Sequence, residues 1–227
     1  MNRIKLLVLI GILMTVGDAM AQWRVGATIG AVNNRLSIDT QYQYDWRYDS
    51  RWGVQAGISG QYDVNDWFGI RADLAFQQRG YTQRRTEKYA SPNKGHYRDN
   101  YLTLPVMASF SFGGEKLRGF LNAGVYGGYW LSSLVKGVSS DPDRVADGLP
   151  PDKFEEIVDL SGVPYQRWDF GGIAGVGVEY RLCSHWAAQI EARYYYSVIS
   201  KKKQYQATKD YQYNNPVSLT VGVYYSF

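Results

Sequence analysis

Eight successive stretches of this chain alternate apolar residues with small or polar ones at a period of two. In the last of them, "PVSLTVGVYYSF", Val217, Leu219, Val221, Val223, Tyr225 and Phe227 fall on one side of an extended chain. Ser218, Thr220, Gly222, Tyr224 and Ser226 fall on the other. The same rhythm runs through "WRVGATIGA" from Trp23, "WGVQAGISGQY" from Trp52, "FGIRADLAF" from Phe68 and "LTLPVMASFSF" from Leu102. It continues through "LNAGVYGGYWL" from Leu121, "FGGIAGVGVEYRL" from Phe170 and "WAAQIEARYYY" from Trp186. A β-strand puts alternate residues on opposite faces, and a slip of one residue would reverse both faces. After residue 21, no run is long and apolar enough for a helix to cross a membrane.

The connections alternate as well. "VND" (64–66), "GGEK" (113–116) and "CSH" (183–185) are tight, whereas 34–50, 82–100, 134–165 and 201–215 are long. Short and long connections in turn describe an up-and-down meander with its long loops at one end, as in barrels of the bacterial outer membrane. A soluble barrel would carry the same alternation with its apolar face inward. The second face separates the two. It holds Gly53, Gly57, Gly69, Gly124, Gly128, Gly175 and Gly177 rather than the Lys and Glu that a water-facing wall needs. Small residues suit the crowded interior of a narrow barrel. The apolar face carries aromatics near both ends, such as Trp52 with Tyr62 and Trp186 with Tyr196, which is the pattern of membrane-interface girdles. The expected fold is all-β: an eight-stranded antiparallel up-and-down transmembrane β-barrel in the cell outer membrane.

A barrel in lipid has to pair its last strand with its first, so a chain that ends on a two-faced strand is expected. Phe227, the terminal aromatic, resembles the C-terminal signal that barrel-assembly machinery reads in outer-membrane proteins. At the other end, Arg3 and Lys5 precede "LLVLIGILMTVG", and "AMA" (19–21) fits a small-x-small cleavage site. Residues 1–21 read as a secretory signal peptide and 22–227 as the barrel domain. With Cys183 as its single cysteine, the exported chain has no internal disulfide. The net charge of +4 is too small to imply nucleic acid.

"YLTLPVMASFSFG", with Tyr101, Leu102, Leu104 and Pro105, resembles the hallmark of the PorT-type outer-membrane β-barrel proteins of Bacteroidota. "GFLNAGVYGGYWLSS" and "DFGGIAGVGVEY" resemble the next two strands of that family. The resemblance spans the mature chain. It implies an envelope protein and, as one possible role, a place in secretion or outer-membrane assembly of the type IX kind. Pro105 lies inside a strand and removes a ladder donor, so a local bulge or bend is expected there.

Few residues offer chemistry. His96 in "NKGHYRDN" has Asp99 nearby, and His185 lies in a predicted periplasmic turn. Neither has the partners a proton carrier needs. Asp141, Asp143 and Asp147 in "DPDRVADG" lack the rest of a calcium loop. No catalytic residue, metal site or cofactor is assigned. "PPDKFEEIVD" is read as one short helix over the barrel mouth. The second and fourth long loops are basic and the third acidic, which suggests a cap held by attraction between them.

The polar face carries charges of both signs: Arg71, Asp73, Glu179, Arg181, Glu191 and Arg193. They are expected to form an interior network, with Glu179 and Arg181 facing Arg193 and Glu191 across one ladder. Phe120, Tyr126, Trp130 and Tyr195 join them inside. A narrow channel is the alternative use of such an interior. The function expected is non-enzymatic, with the loops as a binding or scaffold surface. The partners expected are outer-membrane lipid and lipopolysaccharide, the assembly machinery, and a protein at the extracellular loops.

Overall fold

The computed structural model describes residues 22–39, 46–85, 93–139, 147–161, 165–203 and 211–227. The proposed signal segment therefore lies outside the described residues, as do Asp141 and Asp143. Nine strands follow in order: β1 (Gln22–Asp39), β2 (Trp46–Asp63), β3 (Phe68–Arg85), β4 (Lys94–Gly113), β5 (Leu117–Ser139), β6 (Asp152–Ile157), β7 (Trp168–Arg181), β8 (Trp186–Ser197) and β9 (Tyr211–Ser226). Eight of them close a ring of antiparallel neighbours, and β6 adds to the upper half of β5. The seal is the pairing of β1 with β9, which runs from Arg24 opposite Ser226 to Asp39 opposite Tyr211. The chain continues one residue past β9, where the Phe227 amide donates to the Trp23 carbonyl at 3.1 Å.

The faces fall as the alternation demands. Ile29, Ile58, Val125, Val176, Leu219 and Val221 are exposed on the outside, where lipid meets them. Met107, Tyr126, Ile173 and Tyr195 pack together inside. Glycine makes room for the larger rings: a Cβ on Gly177 would lie within 2.3 Å of the Phe120 ring. The short turns gather at one end with both described chain termini. In the first, the Asn65 side chain accepts from the Trp67 and Phe68 amides at 3.1 and 2.8 Å, an Asx turn. In the second, Gly113 takes a φ of 123°, which side chains rarely adopt.

The other end departs from expectation in several ways. Much of 34–50 and 82–100 is strand rather than loop, because β1 to β5 continue well beyond the lipid-facing band. "DKFEEI" is β6, not a helix. The physical reason is an open edge: β7 stops at Trp168 opposite Tyr129, so the rest of β5 would present unpaired backbone. β6 covers that edge from Leu134 to Ser139. Pro105 makes no bulge. Pairing of β3 with β4 lapses between Ala72 opposite Val106 and Ala75 opposite Thr103, then resumes in the same register. The ladder omits the proline instead of bending around it.

Two true register shifts lie higher up. One falls in β2 between Arg51 and Gln55, the other where β4 meets β5 at Asn100 and Tyr101. In β5 the extra residue is Leu131, since Tyr101 faces Trp130 and Asn100 faces Ser132. Below it Tyr126 and Trp130 are buried inward; above it the parity changes, and Ser133 and Val135 are the buried ones. Such bulges re-aim side chains. Here they mark where the wall leaves the lipid band and becomes an extracellular crown.

Candidate functional site: the charged lumen and the mouth of the barrel

Four ionic clusters occupy the lumen at successive heights. Nearest the short turns, Arg24 is hydrogen-bonded to Glu179 and lies 3.5 Å from Asp63. Above it Arg71, Asp73, Glu191 and Arg193 form a closed ring. Arg71 reaches Asp73 at 3.0 Å and Glu191 at 3.1 Å, while Arg193 reaches Asp73 at 2.6 Å and Glu191 at 2.7 Å. None of these side chains is more than 3% exposed. Neutral groups satisfy part of the remainder: Asn122 donates to Glu191 at 2.7 Å, Ser59 donates to Asp73, and Arg71 touches the Tyr224 hydroxyl, while the Arg193 Nε is buried without a hydrogen-bond partner among the described residues. Buried charges persist only when paired and hydrogen-bonded, and these are.

The third cluster joins Arg79 to Asp169, with the Tyr126 hydroxyl on the same carboxylate at 3.2 Å. The Arg79 guanidinium also lies 4.5 Å from the Tyr101 ring centre. At the top, Lys201 pairs with Asp99, and its ammonium sits 4.1 Å from the Trp130 ring and 4.7 Å from that of Tyr81. Burial drags the Lys201 pKa below the ordinary lysine value, although Asp99 pulls the other way. Arg24, Arg71, Arg79, Arg193 and Lys201 are matched by Glu179, Asp73, Glu191, Asp169 and Asp99. The column is close to neutral along its length.

The structure brings Arg71, Asp73, Glu191 and Arg193 together and buries Glu179 inside. Two expectations fail. Arg181 is exposed at the end of β7 and forms no ion pair among the described residues. Glu179 faces Gln189, not Arg193, so the pairs do not form along one ladder. They form across the lumen, from β8 to β3 and from β1 to β7. Arg24, Arg79, Asp99, Asp169 and Lys201 join the interior beyond the expected network. Arg24 and Arg79 continue the inward parity of their strands, which is the signal that finds them; Lys201 lies past the end of β8, where no periodicity applies.

A pocket of about 140 Å³ lies over this column at the mouth, lined by Tyr48, Tyr81, Tyr97, Trp130, Tyr165 and Lys201 among others. Tyr81 stacks on Tyr97 and Tyr165 stands edge-on to Trp130. The loops that meet here do so differently from the expected attraction of acidic for basic loops. The Asp99–Lys201 pair joins the second to the fourth, and a backbone bridge from Tyr165 to Lys202 joins the third to the fourth. Lys136 pairs with Glu155 within its own hairpin at 2.6 Å. Asp99 has one carboxylate oxygen buried without a hydrogen-bond partner among the described residues.

The histidines and carboxylates outside the lumen do not converge. His96 bonds Thr82 at 2.9 Å and points to the opposite face of β4 from the buried Asp99. His185 bonds Ser184 at 2.8 Å in an exposed turn. Among the described residues no group of His, Cys, Asp and Glu is arranged to hold a metal ion.

Residues 18–202 match the family described as "Outer membrane protein beta-barrel domain". The chain belongs to this outer-membrane barrel family. It is an outer-membrane protein. In fold this family member is similar to the outer membrane protein OprG of Pseudomonas aeruginosa, with a TM-score of 0.57 at 13% identity over 93% of this chain and 98% of that one. E. coli outer membrane protein W also aligns, with a TM-score of 0.44 at 15% identity over 92% of this chain and 99% of that one. These likenesses concern the fold alone. No curated protein sequence matches the chain.

Proposed function

We propose that this barrel is a non-enzymatic binding or scaffold protein that works through its extracellular crown. One observation carries the reading: the lumen is closed by transluminal salt bridges, so neither transport through the barrel nor chemistry inside it is served. An eight-stranded wall leaves room for its own side chains and little else. The elongated strands and the aromatic mouth pocket are then the surfaces left to meet a partner. The likeness of "YLTLPVMASFSFG" to the PorT-type barrels supports the same reading and extends it to an envelope role in Bacteroidota.

Two measurements test it. Planar-bilayer recordings on the purified protein are expected to show no steady unitary current. Ion-selective currents that vanish when Glu191 or Arg193 is changed would promote a channel in place of the closed lumen. A photo-crosslinker at Glu156 in the crown, in native outer membranes, is expected to trap a discrete partner that one at Leu182 in a short turn does not. Identical products from both positions would remove the crown from the argument.

A further inference from the structure

The outward side of the crown is basic where it rises from the lipid. The bulges set this up. Above Leu131, Lys136 and Val138 turn outward, and β4 and β6 bring their own side chains to the same face. His96, Lys136 and Glu155 lie side by side across the three strands, and so do Lys94, Val138 and Lys153. The row beneath them is Arg98, Leu134 and Ile157. From the β2 side, Arg51 lies opposite Gly80. Gly80 in turn lies opposite Arg98, so Arg51 and Arg98 flank one glycine in a single row on this face.

Acids on this face are already engaged. Glu155 holds Lys136 at 2.6 Å and Asp49 holds Arg84 at 2.8 Å. Arg51, Lys94, Arg98 and Lys153 have no ion pair among the described residues. Lys94, His96, Lys136 and Lys153 border a recess of about 410 Å³ whose floor is apolar, formed in part by Val138.

Directly below lie the lipid-facing Leu102, Leu104 and Leu131, all exposed. With a rise of about 3.3 Å per residue and a tilt near 40°, Arg98 stands about 10 Å above Leu102, and Lys94 about 20 Å above it. Leu102 is level with the Tyr129–Trp168 girdle, and a headgroup layer is about 5–8 Å thick on each side, so Arg98 stands at its outer edge and Lys94 beyond it, at the level of a glycolipid's head sugars. The partner seated there must be anionic, must sit just outside the hydrocarbon, and must offer oxygens to guanidinium and ammonium groups. We propose that this face of β4, β5 and β6 binds the phosphate groups of a phosphorylated glycolipid in the outer leaflet, the chemistry of lipopolysaccharide. Arg98 and Arg51 take the phosphate nearer the bilayer; Lys94 and Lys153 take anionic groups farther out. Ile157, 80% exposed, and Leu134 supply apolar contact in the same row as Arg98.

The test uses the whole folded protein in phosphatidylcholine nanodiscs doped with phosphorylated lipid A or with its dephosphorylated form. Lipid retained by the protein is counted by native mass spectrometry. Retention of the phosphorylated form is expected to exceed that of the other by about tenfold, a difference of roughly 1.4 kcal/mol. The triple variant Lys94→Gln, Arg98→Gln, Lys153→Gln is expected to abolish the preference while the heat-resistant folded band on gels is kept. Arg181→Gln, at the far end of the barrel, is expected to leave it intact. Equal retention of both lipids, or an unaffected triple variant, overturns the proposal. Displacement of the lipid by millimolar inorganic phosphate does so too, since the face would then bind free phosphate and not a headgroup.

Discussion

Arg193→Met is expected to lower the unfolding free energy of the barrel by about 3–5 kcal/mol, because it strands buried Asp73 and Glu191 with one cation between them. Arg193 is the only member of the ring that bonds both carboxylates from the β8 side. Arg71 approaches the same two acids from β3 and can neutralise one of them. Burying an acid without its partner costs far more than the pair contributes, so the second half of the experiment is a compensating change. Arg193→Met combined with Glu191→Met removes one charge of each sign and is expected to recover much of the loss. Urea unfolding in lipid vesicles, followed by tryptophan emission, reads both. A single variant as stable as the parent would mean the ring does not hold the wall together.

Val176→Arg and Ala192→Arg are the second pair. The two residues lie opposite each other on β7 and β8, and Leu121 and Leu219 extend the row on either side. Each arginine should cost about 2–4 kcal/mol if the row is at the bilayer midplane, and less towards either girdle. Glu156→Arg, in the crown, should cost nothing measurable by the same unfolding assay. Parent-like stability for both wall variants would mean that this face does not meet lipid.

The contrast between what the sequence disclosed and what it did not follows from two different properties of strands. Parity is local. Val176, Ile190 and Leu219 announce a lipid face by alternation alone, and Arg71, Asp73, Glu191 and Arg193 announce the interior by occupying the other parity. Register offset is not local. Which residue of β8 faces Glu179 depends on the turn from Leu182 to His185, and that turn sets Arg181 opposite Ala187. The expected Glu179–Arg193 pair is displaced by four residues as a result, since Arg193 faces Gly175. Contacts across the lumen depend on curvature and closure of the whole ring, which no single strand encodes. Arg24 reaching Glu179 is such a contact. The crown was obscured for a third reason. Its strands are polar on both faces, so "DKFEEI" carries no clear period, and only the open edge of β5 decides that it is a strand.

The bulges at Leu131 and near Arg51 also divide the protein as an object of variation. An insertion or deletion above them reverses faces only between that point and the loop, so it stays within the crown, where both faces are polar. The same event below them would turn inward the lipid-facing side chains between it and one end of the strand. The membrane half is therefore held to a strict frame, whereas the crown can lengthen, shorten or be exchanged between related barrels as a cassette.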